Sequence, residues 1–226
     1  MIQDSPEMDQ FKVQMRESFQ REAKDSSAIK IAKHENVYAI GDEVKLVYFL
    51  ESGQIKLVML SAEGKECTVA IHTSGDIFGE LCLSGLGGRL ETATAMADSV
   101  LKQVPCSMFL ERLARDSLLE GFIKYLAVRV ADQQEVIANL VTVDSEQRLG
   151  KTLLQLARKL GKRDPGSIRI KLRISHEELA SMVGTTRPRI SVFMQRFHNL
   201  GLIETSVEHH LIIKEDKLTA YLASIA

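Results

Sequence analysis

The chain of 226 residues contains no tryptophan, only four prolines and only three cysteines. Aromatic residues make up 5% of the chain, which argues against a stacking surface for single-stranded nucleic acid. Because Cys67, Cys82 and Cys106 are odd in number and widely spaced, we expect reduced, buried side chains, without a disulfide framework or a metal site. A redox role or haem ligation by one of them is the alternative. No apolar run reaches the roughly 18 residues of a membrane helix, and the acidic N-terminus is unlike a secretory signal. These shortages predict a cytoplasmic protein that needs no metal or cofactor and does not contact a membrane.

Charge is distributed unevenly along a chain whose formal net charge is only −1. Residues 145–226 contain 14 Lys and Arg against 8 Asp and Glu, whereas the rest of the chain contains 15 against 22. A positive segment within a near-neutral protein is typical of a surface that binds the phosphates of double-stranded DNA.

Two short helices joined by a tight turn are predicted within residues 174–204. Ser175 and Glu178 have the spacing of a capping box at the start of the first helix, and Gly184 is placed to end it. Thr185 or Thr186 can cap the second helix. This pattern indicates a helix-turn-helix, and an ordinary helical hairpin with a solvated face is the alternative.

The second helix of this pair has two different faces. Apolar residues recur every three or four positions and are expected to face a core: Ile190, Phe193, Met194, Phe197 and Leu200. Pro188 falls in the first turn, where its missing N–H costs little. Arginines at the N-terminal end of such a helix can contact base edges in the major groove. We expect contacts with bases or phosphates from Thr185, Thr186, Arg187, Arg189, Ser191 and Gln195, and with phosphates from Ser175 and His176.

Short alternating segments separated by glycine-containing turns fill residues 31–104 and predict an antiparallel barrel or jelly roll. A leading helical segment is predicted over residues 8–30. Residues 168–174 alternate apolar and basic side chains, and residues 202–213 have the pattern of two short strands around a polar tip that contains His209 and His210. Strands on both sides of the helix pair indicate a winged helix-turn-helix.

The order of these motifs resembles the cyclic AMP receptor protein/FNR family of bacterial transcription regulators. The likeness depends on residues 75–81 (GDIFGEL), residues 47–53 (VYFLESG), the long helix that follows and the C-terminal helix pair. It implies an α+β fold: an N-terminal antiparallel β jelly roll of the cyclic-nucleotide-binding type over 1–106, a dimerisation helix over 107–143 and a winged helix-turn-helix domain over 144–226. It also implies a homodimer that binds duplex DNA and recruits or blocks RNA polymerase.

Residues 107–143 predict one nearly continuous helix, with Asp144 capping the next one. The spacing predicts a two-stranded coiled-coil seam through Leu119, Phe122, Leu126, Arg129, Gln133, Val136, Leu140 and Val143. The alternative is a helix packed against its own barrel. In a twofold dimer the two DNA-contacting helices would lie one DNA turn apart, about 34 Å.

The resemblance also allows an effector pocket to be assigned, and the pocket departs from the family pattern. Gly79 and Glu80 match, but Glu91 stands directly before Thr92, where relatives that bind a cyclic nucleotide have a phosphate-binding Arg. A carboxylate there would repel a phosphodiester. Arg89 lies two residues earlier, and Gln133 with Gln134 replaces a Thr-Ser pair on the dimerisation helix.

The candidate pocket therefore contains Gly79, Glu80, Arg89, Thr92 and Gln133, its effector is unknown, and cyclic AMP is not expected to gate the protein. A small-molecule sensor in the jelly roll is the alternative function.

In the helix pair, Arg187 matches a family Arg, Pro188 replaces a Glu, and Val192 replaces a second Arg. Val192 could pack against a thymine methyl, so the preferred DNA site should differ. An enzyme is not expected, since no nucleophile and base pair or phosphate loop is evident.

Overall fold

The computed structural model describes residues 6–21, 27–85 and 87–225. The chain forms two compact units, Met1–Gln134 and Glu135–Ala226. The predicted domain limits at 106 and 143 stay predictions.

The first unit is built around a six-stranded antiparallel sheet. In this sheet β1, β6, β3 and β4 are neighbours in that order, with β2 paired to β6 and β5 paired to β3. The elements are α1 (Pro6–Arg21), β1 (Ser27–Ile31), β2 (Asn36–Tyr38), β3 (Leu46–Leu60), β4 (Glu66–Thr73), β5 (Ile77–Phe78), a 3-10 turn (Glu80–Ser84), β6 (Thr92–Pro105), α2 (Cys106–Arg115) and the first part of α3 (Leu119–Thr142).

Two long, bent strands, β3 and β6, form the centre of this sheet. Each replaces two shorter strands that the sequence pattern suggests. The ladder between them runs from Leu46 opposite Pro105 to Val58 opposite Thr92, with irregularities between residues 50 and 55 that bend β3. Gly53 sits at this bend with a φ of 99°, and a Cβ there would collide with Ser99 of β6.

Helix α1 covers one end of the sheet with an apolar stripe. Met8, Phe11, Met15 and Phe19 recur at helical spacing and are buried in a core cluster with residues of β3, α2 and α3. The ring of Phe19 stacks on Phe49 at 5.0 Å. The predicted leading helix is wrong at its end, because residues 27–31 form β1. Residues 22–26 of that prediction lie outside the described part of the chain.

The predicted long helix is interrupted near residue 117. Ser117 has a φ of 56°, and the N–H of Leu118 bonds back to the carbonyl of Leu113, so α2 ends at Arg115 and α3 begins as a separate helix at Leu119. On α3, Phe122 and Tyr125 are buried against the protein's own core. The seam predicted through Phe122 and Arg129 is therefore wrong at these positions.

The second unit combines helices with a four-stranded antiparallel sheet of order β7, β8, β10, β9. It contains the end of α3, then α4 (Ser145–Leu160), β7 (Gly161–Asp164), β8 (Ser167–Ile170), α5 (His176–Val183), α6 (Arg187–Asn199), β9 (Ile203–Thr205), β10 (Leu211–Ile213) and α7 (Glu215–Ser224). Asp144 caps α4 as predicted. Strand β8 ends at Ile170, short of the predicted 174, and neither β7 nor α7 was predicted. The α+β fold class, with its antiparallel N-terminal sheet, long helix and helix-turn-helix, is confirmed.

The cysteines differ from the prediction. Cys82 and Cys106 form a disulfide with a Cα–Cα distance of 6.7 Å, and Cys67 is an exposed free thiol. The prediction of three reduced, buried cysteines was wrong because spacing along the chain does not report that the 3-10 turn meets the start of α2. In the parts of the chain that the structure describes, no helix has the length and apolar character needed to cross a bilayer.

Candidate nucleic-acid interface and sensor pocket

Local capping interactions position the two helices of the helix-turn-helix. The Ser175 hydroxyl accepts from the backbone N–H of Glu178 at 3.1 Å, while a Glu178 carboxylate oxygen accepts from the backbone N–H of Ser175 at 2.9 Å. Gly184 ends α5 in the left-handed region, at a φ of 68°. The short turn places Thr186 at the start of α6, although its side chain makes no capping bond. Ser175 thus uses its hydroxyl within the helix pair and remains exposed.

Helix α6 buries one face and exposes the other. Ile190 and Phe197 are fully buried, which anchors the helix on the core of the unit. Phe193 and Met194 are half-buried and Leu200 is exposed, so the predicted apolar face is narrower than expected. The exposed residues include five near the N-terminal end and middle of the helix: Thr186, Arg187, Arg189, Val192 and Gln195. The guanidinium of Arg187 makes no hydrogen bond or ion pair with any described residue, and the guanidinium of Arg189 lies 5.9 Å from the ring centroid of Phe193.

Two polar side chains at this surface contact each other. The Nδ1 of His176 lies 2.9 Å from the hydroxyl of Ser191, which also donates to the carbonyl of Arg187 at 3.1 Å. His176 therefore links the start of α5 to the second turn of α6. Arg196, later in α6, forms an ion pair within the protein, since its Nη1 lies 3.0 Å from a carboxylate oxygen of Glu146 on α4.

The loop between β9 and β10 forms a tight turn, in which the backbone N–H of Ser206 donates to the carbonyl of His210 and the N–H of His209 donates to the carbonyl of Ser206. His209 adopts a φ of 61°, and Val207 at the tip is almost fully exposed. His210 is partly buried, and its Nδ1 lies 3.2 Å from Glu208. Of the two histidines predicted at the tip, only His209 is exposed.

In the first unit, Arg89 points into the sheet toward the turn at Gly79. Its Nη1 donates to the carbonyl of Gly79 and its Nη2 to the carbonyl of Leu46, both at 2.6 Å. Its guanidinium lies over the ring of Tyr38, 4.2 Å from the centroid, and the side chain is almost fully buried. Gly79 has a φ of 78°, and a Cβ there would lie 3.1 Å from Nη1, so the turn must approach Arg89 without a side chain.

Glu80, the next residue, forms an ion pair with α3. One carboxylate oxygen lies 2.7 Å from Nη1 of Arg129, and both side chains are largely buried. The other oxygen, Oε2, is buried without a hydrogen-bond partner among the described residues. Burial opposes the charge of Arg129, but Glu80, Tyr125 and Asp76 outweigh that effect and raise the pKa of Arg129. Arg129, which the sequence pattern placed in a dimer seam, instead holds the turn against α3.

Glu91 lies in the same interior. Its Oε1 accepts from the hydroxyl of Tyr38 at 2.9 Å. Burial raises the pKa of Glu91, and the bond from Tyr38 only partly opposes this effect. Burial and the neighbouring Glu91 raise the pKa of Tyr38, so its hydroxyl stays protonated and remains a donor.

The predicted pocket residues do not all converge. Gly79, Glu80 and Arg89 lie together. Thr92 instead accepts from the backbone N–H of Ile40 at 3.1 Å, and Gln133 is exposed on α3. Tyr38 and Arg129 were not predicted to lie in this pocket. Their only signal in the sequence is their side-chain type, a hydroxyl and a guanidinium that can pair with a buried carboxylate.

Comparisons with known proteins agree with this geometry. A cyclic nucleotide-binding domain model matches residues 28–116, and a Crp-like helix-turn-helix domain model matches residues 147–221. The transcriptional regulator LdrP of Thermus thermophilus is 32% identical over 179 residues, which cover 78% of this chain and 87% of LdrP. The chain belongs to the CRP/FNR family of transcription regulators. It is accordingly a regulator with a DNA-binding helix-turn-helix and a cyclic-nucleotide-binding-type domain, and not an enzyme.

Other CRP/FNR members show the same extent of similarity. The CRP-like cAMP-activated global transcriptional regulator of Mycobacterium tuberculosis is 27% identical over 183 residues, 80% of this chain and 82% of that protein. A solved structure of a CRP-family regulator from Thermus thermophilus is 28% identical with a TM-score of 0.70, covering 86% of this chain and 96% of that one. The two domains of the family therefore account for most of the chain.

Proposed function

We propose that this chain is a cytoplasmic, homodimeric regulator that binds a specific duplex DNA site through α6, acts together with RNA polymerase and is not gated by cyclic AMP. The observation that carries the proposal is the exposed N-terminal end of α6, a helix anchored by the buried Ile190 and Phe197, where the guanidinium of Arg187 remains available for DNA.

Base recognition follows from the chemistry of this exposed end. A guanidinium can donate two parallel hydrogen bonds to guanine O6 and N7. One turn later, Val192 is 63% exposed and offers an apolar surface that suits a thymine methyl. Thr185, Thr186, Ser175, His176, Arg189, Ser191 and Gln195 surround this end, where they can contact phosphates or neighbouring bases.

An apolar stripe on α3 supports the dimer. Ile123, Val130, Ile137 and Val141 follow one another at intervals of seven, seven and four residues, and each is at least half exposed, with Val141 reaching 81%. A stripe at this spacing is the signature of a two-stranded coiled coil, and an isolated chain would leave it in water. A parallel pair would place two α6 helices for twofold-symmetric half-sites.

The interior of the sensor sheet supports independence from cyclic AMP. Arg89, the cation nearest the Gly79 turn, already donates to two backbone carbonyls and stacks on Tyr38. Glu91 is buried beside it, and a carboxyl group there would face the phosphodiester. A bound cyclic phosphate would have to displace these internal contacts.

In vitro selection of duplex DNA tests the proposal. We expect the native protein to enrich a twofold-symmetric site without added nucleotide, and Arg187→Ala to lose about 1–3 kcal/mol and one base preference on that site. Arg163→Ala is the matched control, since Arg163 is exposed on β7 near Glu215 and any effect should be equal on all sequences. Full selectivity of Arg187→Ala would refute the assignment of α6.

A second candidate function, effector sensing by the jelly roll, is favoured by two buried polar atoms. Oε2 of Glu80 and Nε of Arg89 have no partner among the described residues, and a ligand could satisfy both. Calorimetry with cyclic AMP, cyclic GMP and cyclic dinucleotides separates the candidates. Saturable binding coupled to a change in DNA affinity would favour the sensor, and no heat with any of them would favour the ungated regulator.

A further inference from the structure

The disulfide between Cys82 and Cys106 joins two segments of the first unit that are distant in sequence. Cys82 lies in the 3-10 turn that also contains Glu80, and Cys106 is the first residue of α2. The two positions are 24 residues apart in sequence. The bond therefore fastens the turn directly to the start of the helical part of this unit.

This turn is attached to α3 through Glu80. The ion pair with Arg129 spans 2.7 Å, and Cys82 packs with Cys106 against a core cluster that includes Phe122 of α3. Covalent closure at Cys82 thus restrains the residue whose carboxylate meets α3, two positions earlier. Breaking the bond would leave the turn held by noncovalent contacts alone.

Both sulfur-bearing residues are only partly buried, so small reagents can reach them. We infer that Cys82 and Cys106 form a reversible thiol–disulfide site that holds the Glu80 turn against α3 in the oxidised protein and releases it in the reduced protein. The reactants are of two chemical classes, dithiols for reduction and hydroperoxides for oxidation.

Each direction is chemically balanced. In reduction, one thiolate of the dithiol attacks a sulfur of the disulfide, which releases one cysteine and forms a mixed disulfide with the other. The second thiol of the reductant then attacks its own sulfur in that mixed disulfide and releases the second cysteine, so two electrons and two protons pass to the cysteines and the reductant leaves as a cyclic disulfide. In oxidation by hydrogen peroxide, one cysteine thiolate attacks an oxygen and breaks the O–O bond, which gives a sulfenic acid and a hydroxide that takes up a proton to become water. The second thiol then displaces that oxygen as a second water.

The consequence for DNA binding rests on the proposed function. A released turn frees Glu80 to leave Arg129, so α3 loses a contact near its middle. Coupling between such sites in regulators commonly changes affinity by about five-fold or more. We expect the reduced protein to bind its selected DNA site at least five-fold more weakly.

Alkylation and hydrogen exchange test the site on the full-length protein. After peroxide treatment, mass spectrometry should find one alkylated cysteine, Cys67, and after dithiothreitol it should find three. Amide exchange should be faster in residues 79–84 and 119–130 of the reduced protein. Three alkylated cysteines after peroxide, or equal exchange in both states, would overturn the inference.

Substitutions provide the matched controls. Cys82→Ser and Cys106→Ser should each exchange and bind DNA like the reduced native protein and should not respond to peroxide, whereas Cys67→Ser should keep the full redox response. Should a variant fail to fold, the comparison of the two redox states of the native chain still decides the question. Equal or tighter DNA binding after reduction would overturn the coupling between the disulfide and DNA affinity. Absence of DNA binding in both states would refute the proposed function, and the hydrogen-exchange result would then test the redox site by itself.

Discussion

Breaking the largely buried ion pair between Glu80 and Arg129 should lower the stability of the first unit strongly. Replacing Arg129 with Met keeps most of the apolar stem and removes the charge. The exposed fractions of the two side chains are only 8% for Glu80 and 16% for Arg129. Glu80 would then remain buried with neither of its oxygens paired to any residue that the structure describes.

The expected magnitude follows from this burial. At a separation of 2.7 Å and an effective dielectric constant of about 20, the direct attraction is about 6 kcal/mol, and the desolvation of both ions offsets much of it. Removal of one partner leaves an uncompensated charge, so Arg129→Met should cost about 3–5 kcal/mol. The double variant Glu80→Gln/Arg129→Met should lose clearly less than the sum of the two single losses.

Hydrogen exchange of the slowest amides in β3 and β6 measures this loss for the first unit alone, which avoids overlap with unfolding of the second unit. Lys124→Met is the control, because Lys124 pairs with Glu120 at 2.9 Å on the exposed side of the same helix. No resolvable change is expected there. A loss below about 1 kcal/mol for Arg129→Met, or additive losses in the double variant, would refute the reasoning.

Three further predictions concern other parts of the chain. Burial raises the pKa of Glu91, so its contribution to stability is fully present below the ordinary glutamate pKa and lost as the pH rises through the raised value. Glu91→Gln, which still accepts from Tyr38, should remove this part of the pH dependence of the urea midpoint, and an unchanged pH profile would contradict it. Asp144→Ala should lower the free energy of unfolding by about 1 kcal/mol, because Asp144 accepts from two backbone N–H groups at the start of α4, whereas Asp144→Asn should lower it little. Equal shifts of the thermal unfolding midpoint in the two variants would contradict this role. Ile137→Glu should weaken self-association at least tenfold in sedimentation equilibrium, whereas Ala138→Glu beside the stripe should not, and equal effects would count against the α3 interface.

Sequence alone could predict the helix-turn-helix because its signals are local. Ser175 and Glu178 cap across three residues, Gly184 supplies the left-handed conformation, and Pro188 suits only a first turn. Each of these interactions depends on neighbours within a few positions, so the pattern in the chain is sufficient to locate them. The antiparallel sheet was predictable for a similar reason, since alternation and turn residues are also local.

The contacts inside the sensor unit depend on distant residues and could not be predicted. The pairing of Cys82 with Cys106 depends on where β6 returns to the sheet, and the spacing of 24 residues carries no sign of it. On α3, helical periodicity fits two neighbouring faces equally well. Burial of Tyr125 and the ion pair of Arg129 decide which face meets the core, and both depend on the sheet.

The stoichiometry and symmetry of the DNA site enriched by in vitro selection test the central claim most directly. We predict two protein chains per duplex, bound to two inverted half-sites whose centres lie about 34 Å apart, one turn of the helix. One chain per duplex, a site without inverted symmetry or no enriched sequence at all would contradict it.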